Sequence, residues 1–112
     1  MGHYKSNLRD IEFNLFEVFG RQEIFGAGAY AELDEDTARN ILTEIERLAT
    51  NELAESLLDG DRNPPVFDPA TSSVTMPDSF KKSFKAYQDA EWWRMDVPEE
   101  LGGIVVPPSL RW

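Results

Sequence analysis

The feature that most constrains this chain is an unbroken apolar stripe across residues 36–59. Ala38, Ile41, Leu42, Ile45, Leu48, Ala49, Leu53 and Leu57 recur at helical spacing. Glu44, Glu46, Arg47, Glu52 and Glu55 lie mostly off that stripe, and no Pro or Gly interrupts the run. A half-buried strand would alternate with a period of two, so the pattern predicts one long amphipathic helix of about 23 residues. Asp34, Glu35 and Asp36 supply negative charge where the dipole at a helix start favours it. Gly60, with Pro64 and Pro65 just beyond, predicts the stop.

A second periodic segment covers residues 10–19. Ile11, Leu15 and Val18 fall at helical spacing, and Phe13, Phe16 and Phe19 carry apolar character round most of the circumference. Asn7 or Asp10 can cap it, and Gly20 can end it. A helix of about ten residues is marginal alone, so this one must pack on something. It is expected to be buried on more than one side and to be the least stable helix, because a Gly- and Ala-rich stretch tethers it.

Residues 21–33 read as a connector with at most one helical turn. Gly26, Gly28 and Ala31 match the spacing of a dinucleotide-binding turn. That turn needs a buried strand before it and a helix after it, and residues 21–25 make a poor strand. Residues 61–76 form an irregular Pro-rich connection, in which Val66-Phe67 and Val74-Thr75 can pair as a minimal hairpin. A third helix is expected from Pro77 to about Trp92-Trp93, with Phe80, Phe84, Tyr87 and Glu91 on one face. Its aromatic side is expected to line a larger body or an apolar slot. Pro107 and Pro108 then read as the approach to a further helix.

The net charge is −10, so the basic footprint of a nucleic-acid binder is missing and an anionic membrane repels the chain. There is no cysteine and one histidine, which excludes disulfides, thiol chemistry and Cys- or His-built zinc sites. No apolar run reaches the roughly 20 residues of a membrane span. Residues 1–6 lack a signal-peptide core, and their fit to Met-Gly-x-x-x-Ser is explained by an ordinary start with Gly second. The cytoplasm is the expected compartment.

No constellation carries chemistry. Asp59, Asp61 and Asn63 open like a calcium loop, but Pro64 and Ala70 stand where Gly and Glu are required. Asp34, Glu35 and Asp36 are explained by a helix start without a metal. Glu44 and Glu46, two apart on a helix, diverge. Glu99 and Glu100 lack the positioned partner that acid–base catalysis needs. His3 has no Ser-Asp pattern nearby. Lys81, Lys82 and Lys85 suit a phosphate, but they suit the wet face of an aromatic helix better.

Residues 1–18 (Met-Gly-His-Tyr-Lys-Ser-Asn-Leu-Arg-Asp-Ile-Glu-Phe-Asn-Leu-Phe-Glu-Val) resemble the N-terminal extension of one bacterial branch of the FAD-dependent acyl-CoA dehydrogenases. So do Asp61-Arg62-Asn63-Pro64-Pro65-Val66-Phe67-Asp68 and Val74-Thr75-Met76-Pro77 leading into Phe80-Lys81-Lys82. Val97 with Pro98, Glu99, Glu100, Leu101, Gly102 and Gly103 is similar to the Pro-Glu-Glu-aromatic-Gly-Gly loop of the wider family, with Leu101 in place of the frequent aromatic. The resemblance spans essentially the whole chain.

It implies a mainly α fold of about three helices, part of an acyl-CoA dehydrogenase N-terminal helical domain. Residues 1–33 would be the extension and 34–112 the start of that domain. Family members add a β-domain and a C-terminal helical bundle that hold FAD and the catalytic carboxylate for α,β-dehydrogenation of acyl-CoA thioesters in β-oxidation. This chain would then carry no catalytic residue, no metal and no cofactor of its own. Pro98, Glu99, Glu100, Leu101, Gly102 and Gly103 would shape the acyl pocket. Phe13, Phe16 and Phe19 would form an interface with the remainder of the enzyme or a second copy. The rival expectation is a stand-alone acidic helical interaction module without enzymatic activity, docking on a basic partner.

Overall fold

The computed structural model describes residues 4–111; Met1, Gly2 and His3, with the Met-Gly-x-x-x-Ser start and the histidine considered above, and Trp112 lie outside them. The described chain is mainly helical, with one two-stranded sheet among its described residues. Helix α1 (Leu8–Glu12) continues as a π-helical segment, Phe13–Val18. Two 3₁₀ turns follow, Arg21–Ile24 and Gly28–Tyr30, where a connector with one turn is expected. Helix α2 (Glu35–Leu48), a π segment (Ala49–Leu53) and α3 (Ala54–Arg62) make the long helical run. Strands β1 (Val66–Asp68) and β2 (Ser73–Thr75) form the hairpin, followed by α4 (Asp78–Asp89). Two further 3₁₀ turns, Trp92–Asp96 and Glu99–Leu101, lead to α5 (Pro108–Arg111), the helix that the paired prolines anticipate.

Capping explains the starts. The Asn7 carboxamide oxygen accepts from the Asp10 backbone N–H at 3.2 Å, so the first helix begins at Leu8 rather than at residue 10. Asp34 caps α2 through the Thr37 N–H at 2.7 Å, and that bond holds its carboxyl below the usual carboxylate value. Both π segments carry an asparagine that bonds back into its helix. Asn14 Nδ2 donates to the Asp10 carbonyl at 2.8 Å, and Asn51 Nδ2 donates to the Arg47 carbonyl at 2.8 Å. Each side chain occupies the carbonyl four residues back, the acceptor of an ordinary α-helical bond, beside the slip to longer spacing.

Three element boundaries differ from expectation. Gly60 does not stop the long helix, which runs on to Arg62. The stop is Asn63, whose N–H and side chain both bond to Asp59, at 2.8 Å each, with Pro64 unable to continue. Helix α4 ends at Asp89, before the tryptophans, because Glu91 takes a left-handed φ of 59°. Pro77 stands just outside α4, in an extended conformation, rather than in its first turn.

Contacts divide the chain into two compact units, and the division falls within α2, between Glu46 and Arg47. One unit holds Ser6–Glu46 and residues 92–111. Its core is Phe16, Leu33, Ala38 and Leu110, ringed by half-buried Leu15, Phe25, Tyr30, Ile41, Leu42 and Val106. The Phe16 ring meets Phe25 edge-on, with centroids 6.4 Å apart. The Arg39 guanidinium lies 4.4 Å from the Phe16 centroid and pairs with Glu35 at 2.7 Å and Glu12 at 3.1 Å.

The other unit holds Tyr4, Lys5 and Arg47–Glu91. Here the long helical run faces α4. Ser83 is buried, and its hydroxyl donates 2.6 Å to the Glu52 carbonyl in the π segment. Ser79 donates to the Asp59 carboxylate, and Lys82 reaches Glu55 at 3.4 Å. The hairpin pairs Val66 with Thr75, Phe67 with Val74 and Asp68 with Ser73, antiparallel. Its turn is locked locally: the Asp68 carboxylate accepts from the Ala70 N–H and the Thr71 hydroxyl, both at 2.9 Å, and Ser72 takes a left-handed φ of 54°. No helix among the described residues is long and apolar enough to cross a membrane.

Candidate functional site

Two places gather the residues that bear on function, one in each unit. The first is the loop at residues 98–103. Pro98 starts it in an extended conformation, and Glu99–Leu101 wind one 3₁₀ turn. Three bonds close the turn: Leu101 N to the Pro98 carbonyl at 3.0 Å, Gly102 N to Glu99 at 2.9 Å, and Gly103 N to Pro98 at 3.1 Å. Gly102 sits at φ 84°, the left-handed region that glycine enters without a steric penalty. Gly103 is required for a different reason. A Cβ there would lie 1.7 Å from the Val97 carbonyl oxygen and 2.8 Å from that of Pro98.

The loop is moored on both flanks. Arg94 Nε donates to the Gly102 carbonyl at 2.7 Å, and Ile104 N donates to the Arg94 carbonyl at 2.8 Å. Arg111 on α5 bonds the Met95 carbonyl at 3.3 Å, and Met95 is buried. The product of this wiring is a fixed turn that presents Leu101, 68% exposed, at its tip. Glu99 and Glu100 precede it, both exposed. The geometry offers a positioned apolar side chain and a close-packed backbone, which suits shaping a surface.

The second place is an open cleft of about 720 Å³ in the other unit. Leu53 and Leu57 form one wall, Pro65 and Met76 at the feet of the hairpin another, and Pro77 and Phe80 a third. Phe80 stacks on Phe84, with centroids 6.2 Å apart and planes 9° from parallel. Tyr4 and Asp61 stand at the lining, and the Ser56 hydroxyl is engaged with the Leu53 carbonyl at 3.0 Å. The expected apolar slot therefore has a counterpart, but of the aromatic group on and after the third helix only Phe80 lines it.

The structure separates the other candidates. Phe16 lies in a core, whereas Phe13 stays 42% and Phe19 61% exposed. The three lysines each meet a carboxylate: Lys81 with Asp78, Lys82 with Glu55, Lys85 with Asp89. The Asp59 carboxyl is held below its ordinary value by the Ser79 hydroxyl and then by Asn63, so its oxygens are occupied by side-chain donors. Asp68 is lowered likewise, first by the Ala70 N–H and then by Thr71. Among the described residues no group of three or more acidic, His or Cys side chains could hold a metal ion.

Sequence reasoning missed Ser83 and the hairpin's share of the cleft. A signal for the first was present, since Ser83 sits between Phe80 and Phe84 on the apolar stripe of α4. A polar residue there implies a buried hydrogen bond. That share carries no such signal, because Pro65 and Met76 reach the cleft only through the hairpin.

No family model matches the chain. Two curated proteins are similar to it along nearly its whole length. It is 51% identical, over 112 residues, to a broad-specificity linear acyl-CoA dehydrogenase of Mycobacterium tuberculosis, and it covers 18% of that protein. It is 25% identical, over 104 residues, to a 3-methylmercaptopropionyl-CoA dehydrogenase of Ruegeria pomeroyi, of which it covers 17%. The chain thus spans less than a fifth of the length of the curated relatives it matches.

Proposed function

We propose that the chain is the N-terminal portion of an acyl-CoA dehydrogenase and serves it as a packing and pocket-shaping segment. The observation that carries this reading is 51% identity over all 112 residues to such an enzyme. The whole enzyme would dehydrogenate acyl-CoA thioesters at the α,β-bond, in fatty-acid β-oxidation, in the cytoplasm. FAD, held by the rest of the enzyme, would take up the hydride. This chain would contribute no catalytic residue and no cofactor ligand.

Within that role, residues 1–33 are an extension and the family's helical domain starts at residue 34. The assignment of Pro98, Glu99, Glu100, Leu101, Gly102 and Gly103 is to shaping the acyl-binding region. The moored turn and the exposed tip at Leu101 support it. Phe13, Phe16 and Phe19 form the interface helix. Phe16 fixes that helix from inside its unit, while Phe13 and Phe19 stay exposed, free to meet the remainder of the dehydrogenase or a second copy. Burying one Phe stabilises an interface by roughly 1.5–3 kcal/mol.

The test joins this chain to the remaining four-fifths of the Mycobacterium tuberculosis relative, in place of that protein's matching segment. The chimera is expected to retain flavin and to reduce an electron acceptor in the presence of acyl-CoA. A folded, flavin-loaded chimera without that activity defeats the proposal. In the active chimera, Leu101→Trp should alter KM across acyl chain lengths and leave kcat nearly unchanged. An unaltered KM profile removes the loop from the pocket.

A further inference from the structure

We propose that the outer edge of β2 pairs with the same edge of a second copy of this chain, making a four-stranded antiparallel sheet across a twofold axis. The hairpin is well formed but unsupported. Every residue from 61 to 75 is exposed, including Val66, Phe67 and Val74, with the first two at 65% and 60%. Two strands alone are marginal in water, and a third strand or a covering helix is normally required. The turn is closed by its own Asp68, so nothing in the hairpin's geometry depends on a neighbour in the chain.

The two edges differ in how they are guarded. Edge strands are ordinarily protected by charge or proline. Strand β1 has both: Pro64 and Pro65 precede it, Asp68 ends it and Pro69 follows. Strand β2 has neither within Ser73–Thr75, and Pro77 and Asp78 follow only after Met76. Thr71, Ser72, Ser73, Val74, Thr75 and Met76 carry no charge, in a chain where 29% of residues do. That neutrality leaves this edge open to a second copy. A chain with net charge −10 repels its own copy almost everywhere, but not along this strand.

The strand is also complementary to itself. With the axis at Val74, Val74 faces Val74 of the copy and Ser73 faces its Thr75. Antiparallel β-branched and Ser–Thr pairs are favourable, and no like charges meet. Strand alternation gives β2 outward N–H and C=O groups at either Val74 or at Ser73 and Thr75, and this register satisfies both cases.

The experiment is molar mass by light scattering on the whole chain over a concentration series. Wild type should approach twice the monomer mass. Ser73→Lys with Thr75→Lys sets lysine opposite lysine across the axis, and should raise the dissociation constant roughly tenfold or more. Ser73→Lys with Thr75→Glu sets lysine opposite glutamate, and should restore the dimer. Amide and side-chain NMR contacts between Phe67 and Val74 verify that each variant keeps its hairpin. A wild type that stays monomeric overturns the proposal and leaves the edge to a strand from elsewhere in the dehydrogenase. Equal association in all three chains overturns it too, by placing the contact on another surface. So does a Lys/Glu variant that stays as weak as Lys/Lys.

Discussion

The two units are held by different forces. In the unit that carries the 98–103 loop, an aromatic core ties chain segments that are remote in sequence: Phe16 from the first helical run, Leu33 and Ala38 around the start of α2, Leu110 from α5. In the other, Leu48 and Ala54 are buried outside that cluster, and polar bonds also join the neighbouring segments. The Ser83 hydroxyl reaches the Glu52 carbonyl, Ser79 reaches Asp59, and Lys82 reaches Glu55, while the hairpin buries nothing. A closed core can hold a turn as tight as the one at Gly103. A polar seam leaves apolar surface open, as the cleft and the hairpin show. The first arrangement suits a positioned site and the second suits docking.

The contrast breaks first at Phe16. Phe16→Ala removes a 4%-exposed ring, its edge contact to Phe25 and the face under Arg39. A loss of about 3–5 kcal/mol in denaturant unfolding is expected. Leu57→Ala in the cleft wall, a residue 59% exposed, should cost under about 1 kcal/mol. Similar costs at the two sites would mean that the units do not differ as described.

Next come two adjacent glycines. Gly103→Ala forces a methyl into the Val97 and Pro98 carbonyls, which are backbone and cannot swing aside. About 3 kcal/mol or more should be lost. Gly102→Ala meets open space and suffers only its left-handed φ of 84°, about 1–2 kcal/mol. Thermal unfolding of the two variants separates a steric requirement from a conformational one, and a reversed order would refute the turn geometry.

Ser83→Ala tests the polar seam. It strips the donor from the Glu52 carbonyl and should cost about 1–2 kcal/mol. Hydrogen exchange should quicken at the π segment Ala49–Leu53 and in α4, with little change around Phe16. Loss confined to the Phe16 core would show that the seam is not what holds this unit.

Much of this was legible in the residues. The stripe from Ala38 to Leu57 announced the long helical run, and Val66-Phe67 with Val74-Thr75 announced the hairpin, because each rests on periodicity or turn chemistry within a short window. The ends were less legible. Gly60 looked like a stop, yet a glycine inside a helix costs only about 1 kcal/mol, and the helix ends three residues later, where Asn63 bonds to Asp59. The π slips went unseen, although Asn14 and Asn51 within apolar helical runs were visible cues. The extent of exposure at Phe13 and Phe19 depends on which side Phe16 faces, and that is decided by Leu33, Ala38 and Leu110, far along the chain.

The smallest expected effect separates the units by acid. Asp59 is held below the ordinary 3.8 by the Ser79 hydroxyl and Asn63, and Asp34 below it by the Thr37 N–H. A carboxyl with a depressed folded pKa stabilises the fold above its unfolded value. That contribution fades as the pH falls through the folded value. Both should therefore act fully above 3.8 and weaken at more acid pH. Ser79→Ala removes the larger cause at Asp59 and leaves Asp34 untouched, because Ser79 and Asp34 belong to different units. Carboxyl carbon shifts followed by NMR through an acid titration should show Asp59 moving up towards 3.8 in this variant while Asp34 keeps its wild-type midpoint. Movement of both midpoints together would mean that the two caps respond to one shared change in the fold, and the units could not be treated separately.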